Sequence, residues 1–496
     1  MNERAPKSPP ALVATGIEGL DDVLRGGLVP NRLYLVEGTP GSGKTTLSLQ
    51  FLLHGVANGE RCMLVTLSET ANELRATAES HGWNLDGIEL MEIIASEDSL
   101  TPDARFTMYH PSEVELGETT KSVLAESARV KPDRLVVDSL SEFRLLAENS
   151  LRYRRQILAL KRFFGRQNTT VIFVDDRTSD LKDMNLHSLA HGVISLERET
   201  SEYGTVRRRL SISKMRGRAF REGFHDFTIR TGGLDIFPRL VASEHRLDYQ
   251  RGVVASGLGE LDALLGGGLT KASSTLIVGP AGTGKSTIAT QYAVAAAARG
   301  EHTSLFLFDE SLNTFRERSE GLGFGVNALI DRGQILARQL DPAELSPGEF
   351  AHQVRRAADE HKSTLVVLDS LNGYLNAMPN ERFLVLHLHE LLAYLSQRGV
   401  TTLLLMAQHG LVGADPQSPV EASYLADIVV LLRYFESVGE VRKAISVIKK
   451  RIGKHERTIR ELKFDEGLTI GPPVRDFHGV LTGHPTLVRQ DEAERR

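Results

Sequence analysis

The chain has 496 residues, 41% hydrophobic and 25% charged, close to soluble globular averages, and no apolar run reaches the roughly 18 residues of a membrane span. Its 59 basic and 64 acidic residues leave a net charge of −5, which excludes a global cationic field that would gather nucleic acid. The lone Cys62 excludes an intrachain disulfide and suits a reducing compartment, so the cytoplasm is the expected location.

Residues 1–13 read as a polar, proline-containing lead-in, neither signal peptide nor anchor. From there the chain repeats itself: Ala14 to Glu69 matches Ala255 to Glu310 without a gap, at an offset of 241 residues. That period is too long for a solenoid and marks a duplicated domain. The expected organisation is a first domain at 14–240, a polar linker at 241–252, a second domain at 253–486 and a short tail at 487–496. In the first copy, β-branched runs predict strands at Leu33–Val36, Met63–Leu67, Leu135–Val137 and Val171–Val174. Cys62 adjoins such a run and reads as a packing residue. The second copy predicts strands at Thr275–Val278, Leu305–Phe308, Leu365–Leu368 and Thr402–Met406. Helices are expected from Thr45 and Ser286, and over Tyr153–Phe164 and Arg382–Gln397. Alternating strands and helices imply an α/β fold, a largely parallel sheet flanked by helices in each copy.

Between the first strand and first long helix of each copy lies a G-x-x-x-x-G-K-[ST] loop, Gly38 to Thr45 and Gly279 to Ser286. Its glycines let successive N–H groups face phosphate oxygens, the helix N-terminus adds its positive dipole end, and the lysine reaches the terminal phosphates. The nucleotide-binding residues are therefore Thr39, Pro40, Gly41, Ser42, Gly43, Lys44, Thr45 and Thr46, and Pro280, Ala281, Gly282, Thr283, Gly284, Lys285, Ser286 and Thr287. ATP and Mg²⁺ are the expected cofactors. Thr45 and Ser286 would ligate the metal, and Asp138 and Asp369, each closing an apolar run, would hold its water shell. Alone, such an aspartate is as readily a helix N-cap. Hydrolysis also needs a group to orient or deprotonate water. Glu69 after Ser68, and Asp309 with Glu310, stand at matching strand ends, where a carboxylate could instead cap the next helix.

These residues together resemble the circadian-clock ATPase KaiC and its bacterial relatives, which are double RecA-type domains. The likeness rests on Thr15–Asp21, both P-loops, both Asp-Ser strand ends, Lys214-Met-Arg216-Gly217, and the run Ala426-Asp427 to Tyr434. It implies two RecA-like P-loop NTPase domains and a homohexamer with ATP at subunit interfaces. Lys214 and Arg216, and Lys449 and Arg451, match basic residues that reach the terminal phosphate of an adjacent subunit. It further implies ATPase activity, serine autokinase activity at Ser423, and a small KaiB-like or signalling partner. The chain departs from the family in having Ser68-Glu69 and Asp309-Glu310 for two consecutive glutamates, Phe220 for a histidine that is kept as His455, and Tyr424 for a phosphate-accepting threonine. The ten residues after Thr486 are too few for the clock protein's regulatory tail.

Two other readings stay open. The fold suits a RecA-like ATPase acting on DNA, for which Arg207–Arg209 with Lys214 to Arg221 is the patch to test. A non-catalytic, ATP-gated scaffold for a small partner is the third.

Overall fold

The computed structural model describes residues 11–93, 111–147, 150–177, 185–200, 204–376, 384–408, 422–464, 467–481 and 486–487. Most of the expected lead-in and all but the first residue of the expected tail lie outside the described residues. The chain divides between Arg239 and Leu240 into two units.

In the first unit the strands are β1 (Leu33–Gly38), β2 (Cys62–Thr66), β3 (Ile88–Glu92), β4 (Arg134–Asp138), β5 (Thr170–Asp176), β6 (Gly192–Glu199), β7 (Arg207–Met215), β8 (Phe224–Arg230) and β9 (Gly233–Phe237). They form one sheet in the order β3-β2-β4-β5-β1-β6-β7-β8-β9. The run from β3 to β6 is parallel, and β6 to β9 is antiparallel. In the second unit β10 (Val253–Val254) pairs antiparallel with β11 (Leu269–Thr270). Its sheet then repeats the plan with β12 (Ser274–Gly279), β13 (His302–Leu307), β14 (Ile335–Gln339), β15 (Ser363–Asp369), β16 (Thr401–Ala407), β17 (Ile428–Ser437), β18 (Glu440–Lys450), β19 (Arg460–Lys463) and β20 (Thr469–Pro473). The order is β14-β13-β15-β16-β12-β17-β18-β19-β20.

The α/β fold with a largely parallel sheet in each copy is therefore present, and all eight expected strands are found with their ends shifted by at most three residues. In the first unit Leu33 and Leu35 pack on one face with Ile157, Leu160 and Phe164 of the helix Ser150–Gln167. Tyr34 and Val36 pack on the other with Leu47, Phe51 and Leu52 of the helix Lys44–Ala57. A strand covered on both faces reads as an apolar run, which is why β1 was legible. The antiparallel extension was not expected from the sequence. β7, Arg-Arg-Arg-Leu-Ser-Ile-Ser-Lys-Met, buries only Leu210 and Ile212. Cys62 is buried in the core, and burial pushes its thiol pKa up to about 12, as suits a packing residue.

The stretch expected as a polar linker is fastened to the second unit. Ala242–Glu244 form a 3₁₀ turn, the Leu247 amide donates to the Gln397 carbonyl at 3.1 Å, and the His245 ring meets Tyr394 edge-on at 5.1 Å. Among the described residues no helix is long and apolar enough to cross a membrane.

Candidate active site

Each P-loop leads from a buried central strand into a helix that no side chain caps. β1 ends at Gly38, and the helix Lys44–Ala57 is entered through Gly43 in a left-handed conformation, φ 103°. Gly284, φ 102°, does the same for the helix Lys285–Ala298. The first-turn N–H groups are thus left for an anion, which is the use this geometry has. The next helix, Ala71–Ser80, is instead closed by a reciprocal cap between Thr70 and Glu73. A Cβ at Gly38 would lie 2.5 Å from Ser42 Oγ and 2.6 Å from the Leu196 carbonyl oxygen, so the loop folds this tightly only on glycine. Ser42 Oγ is buried without a partner among the described residues. In the second loop Thr283 Oγ1 donates to the Pro280 carbonyl at 2.8 Å, and Tyr434, from β17, donates its hydroxyl to the Ala281 carbonyl at 3.0 Å. Thr46 and Thr287 are buried in the first turns of their helices.

Lys44 Nζ donates to the Gly38 and Thr39 carbonyls at 3.0 Å each and pairs with Asp176 at 2.8 Å. Lys285 donates to the Gly279 and Pro280 carbonyls at 2.9 and 2.8 Å. Asp176 stands opposite Gly38 in the sheet, and its counterpart opposite Gly279 is Ala407. Burial lowers the Lys285 pKa against the opposing pull of Asp369 and Asp309.

Thr45 donates its hydroxyl to Asp138 at 2.8 Å. Asp138 closes β4 and is buried; burial pushes its pKa up to about 6, with Glu69 and Asp176 adding to the shift and Thr45 and Lys44 opposing it. Asp369, closing β15, is raised for the same first reason, with a hydrogen bond from Ser286 opposing. A hydroxyl and a carboxylate held together beside uncapped amides are hard oxygen donors that suit Mg²⁺, whose charge would stabilise the ionised aspartate. Together with the orphaned Ser42 hydroxyl, the residues present fit a metal-bound triphosphate.

The three candidate carboxylates differ. Glu69 has a buried Oε2 with no hydrogen-bond partner among the described residues, and burial, then Glu73, raises its pKa. Asp309 accepts a hydrogen bond from Ser370. Glu310 gives one oxygen to Arg318 Nε and the other to an Arg318 terminal nitrogen, 2.9 Å each.

The Lys-x-Arg segments lie away from these groups. In the sheet, Tyr34 at the start of β1 is beside Gly192, which is beside Met215, whereas the P-loop follows the other end of β1. Tyr34 to Gly38 is four residues, about 13 Å of strand. The second unit repeats this with Thr275, Ile428 and Lys450. Lys214 donates to the His187 carbonyl, Arg216 to that of Ser188 at 2.7 Å, and Lys449 to that of Ala426 at 2.7 Å. Arg451 reaches Asp427 at 3.2 Å and the Tyr424 carbonyl at 3.0 Å. Ser423 belongs to the short helix Ala422–Leu425, and its side chain lies outside what is described.

Sequence reasoning missed Asp176, two residues beyond an expected strand, and Arg318, eight residues after Glu310. The former carried a signal, being a carboxylate at the end of a strand adjoining the P-loop strand. The latter carried none.

Comparison with known proteins bears on the whole chain. The family described as "ATPase: KaiC" matches residues 13–241 and again 254–474. The circadian clock protein KaiC3 of Synechocystis sp. is 28% identical over 488 residues, 97% of this chain and 96% of that protein. The circadian clock oscillator proteins KaiC of Synechococcus elongatus and of Acaryochloris marina are 27% and 26% identical, over 97% of this chain and 93% and 92% of their own lengths.

Proposed function

Because the chain belongs to the KaiC family of ATPases, we propose that it hydrolyses ATP between subunits of a homohexamer in the cytoplasm, joining the P-loop of one copy to the Lys-x-Arg segment of another. One observation carries this reading. In each unit the P-loop and its carboxylates lie at one end of the central strand and the Lys-x-Arg segment at the other, so a single unit does not bring its own two halves together. Lys44 and Lys285 bind the terminal phosphates with the loop amides. Thr45 with Asp138, and Ser286 with Asp369, would hold Mg²⁺, which neutralises charge on the phosphates when bound. Glu69, whose Oε2 has no partner to give up, orients the water and takes its proton in the first domain. Asp309, with Glu310 beside it, has that task in the second. Lys214 with Arg216, and Lys449 with Arg451, stabilise the charge developing on the phosphoryl group from the adjacent copy.

The reading extends to slow phosphoryl transfer onto Ser423 from ATP held by a second P-loop, and to a small KaiB-like or signalling protein as partner, in place of nucleic acid or a membrane. The experiment is to size the purified protein with and without ATP and Mg²⁺ while following phosphate release, with single-stranded DNA as an added arm. Expected is a nucleotide-dependent hexamer whose turnover ignores DNA. A monomer under every nucleotide condition overturns the interfacial site, and strong stimulation by DNA favours a recombinase-like activity.

A further inference from the structure

At the Lys-x-Arg end of the first domain lies a cavity of about 280 Å³ lined by Arg32, Lys161, His191 and Arg216, with Asn31 and Thr169 at its wall. Arg32, Lys161, His191 and Arg216 come from four places: the entry to β1, the helix Ser150–Gln167, the turn before β6 and the turn after β7. Their partners among the described residues are carbonyl oxygens. Arg32 donates to Asn31, Lys161 to Leu189, and Arg216 to Ser188. The second ring nitrogen of His191, Nε2, is buried without a hydrogen-bond partner. Among the described residues no carboxylate lines this cavity; three cations converging there repel one another, and the ordinary remedy is an anion. Burial and the neighbouring cations lower the pKa of both Lys161 and His191.

The second domain shows what the same place is like when it is neutralised. The His191 amide donates to the Leu33 carbonyl, and the Asp427 amide to that of Ser274, so Asp427 is the counterpart of His191. It is Asp427 that pairs with Arg451. Val171 donates to the Arg32 carbonyl as Thr402 does to that of Ser273, making Ser273 the counterpart of Arg32. Counted back seven residues from the left-handed residues Asn168 and Gly399, Lys161 corresponds to Leu392, which is buried in the core. One cation, one carboxylate, a serine and a leucine therefore replace the four groups of the first domain.

We propose that the cavity of the first domain is a binding site for a phosphate-class oxyanion, held by Arg32, Lys161 and Arg216 with His191 completing its hydrogen bonds. The chemistry is that of a tetrahedral anion among guanidinium, ammonium and imidazole donors. Two sources share it: free orthophosphate, and the terminal phosphate of a nucleotide bound to another copy. The second source rests on the interfacial site proposed above, and the first does not.

The test uses the full chain with both P-loop lysines replaced, Lys44→Ala and Lys285→Ala, so that orthophosphate bound at the P-loops is suppressed. Calorimetric titration with orthophosphate is compared with the same protein carrying Lys161→Leu and His191→Asp, the residues the second domain uses. Expected is one phosphate per chain, weakened at least tenfold by the exchange. Lys161→Leu alone, a half-buried position that tolerates an apolar side chain, should weaken it several-fold and guards against misfolding of the double exchange. In the chain with intact P-loops, competition between added ATP and orthophosphate for this site, with Lys161→Leu raising the ATP concentration needed for assembly, identifies the nucleotide as source. Orthophosphate binding that persists beside ATP identifies the free ion. Equal phosphate binding before and after the exchange, with ATP-driven assembly also unmoved, overturns the proposal. Loss of ATP turnover in the unmutated chain while phosphate still binds would overturn only the interfacial reading.

Discussion

Glu310 and Arg318 form a two-point ion pair, both contacts at 2.9 Å, at the strand end where the first domain leaves Glu69 without a partner for its buried Oε2. The repeat offset puts Thr77 at the place of Arg318, and threonine cannot make that pair. A carboxylate holding a guanidinium at two points has both oxygens engaged and is fixed in direction. Arg318→Thr should free Glu310 and raise phosphate release from the second domain several-fold, measured with the first silenced by Lys44→Ala. An unchanged rate would show that Asp309 alone does the work.

Lys214→Ala and Arg216→Ala should each lower first-domain turnover at least a hundredfold, a loss typical of removing a cation supplied in trans. With the site shared between copies as proposed, mixing Lys214→Ala chains with Lys44→Ala chains should restore part of the activity. Phosphate release in the mixture, against each variant alone, checks this.

Tyr424 is about half exposed, and its phenol is longer and more rigid than the threonine it replaces in the family pattern. Phosphorylation should therefore fall on Ser423 alone, be abolished by Lys285→Ala and survive Lys44→Ala as long as assembly persists. Mass spectrometry after incubation with ATP decides it; phosphate on Tyr424 and none on Ser423 would sink the prediction.

Glu37 lies in β1 just before the P-loop, accepting from Ser195 at 2.8 Å and sharing a 2.7 Å hydrogen bond with His187. Burial alone would raise the Glu37 pKa, yet the bonds from His187 and Ser195 outweigh it and the net shift is downward. His187 is raised, first by its bond to Glu37, against burial, Arg177 and Lys214. The stabilisation from Glu37 is present above its ordinary 4.5 and lost as pH falls through its lowered value. That from His187 is present below its ordinary 6.5 and lost as pH rises through its raised value. The pair thus contributes most between those ordinary values. Melting of the first domain, read from its single tryptophan, Trp83, should move down from pH 6 to pH 8, and Glu37→Gln should flatten that slope.

Arg134 is 2% exposed, donates to the Ala14 and Phe51 carbonyls at 2.8 and 2.9 Å, pairs with Glu60 and stacks over the Phe51 ring at 4.6 Å. Arg134→Met leaves two carbonyls and a carboxylate without their donor. It should cost the first domain about 3 kcal/mol, seen as a lower denaturant midpoint in Trp83 fluorescence.

The P-loops, the repeat and the parallel strands were legible because each has a strict local requirement: glycine where the backbone turns left-handed, an apolar run where a strand is covered on both faces. The antiparallel half was not, since β7 and β18 carry charge at many positions and bury only Leu210 and Ile212 in the one and Ala444 to Val447 in the other. The cationic cavity was further from reach. Arg32, Lys161, His191 and Arg216 span almost the whole first domain, and only the register of β1 with β5 and β6 brings them together. Arg318 was invisible for a similar reason, because nothing local in the sequence tells a solvated helix arginine from one turned back onto the preceding strand end.

In the ring proposed above, the P-loop and the Lys-x-Arg segment at opposite ends of one strand also bear on symmetry. Joined head to tail, the contact is heterologous: the copy that lends its cation still has an unfilled P-loop, and the copy that receives it still has a cation to lend. Repeated from copy to copy, such a contact ends when a ring closes and otherwise runs on as a helical filament. In that ring the rotation between successive copies, more than the strength of any one contact, sets the number of subunits. Substitutions that alter the twist of β6 and β7 are where closed rings would give way to fibres.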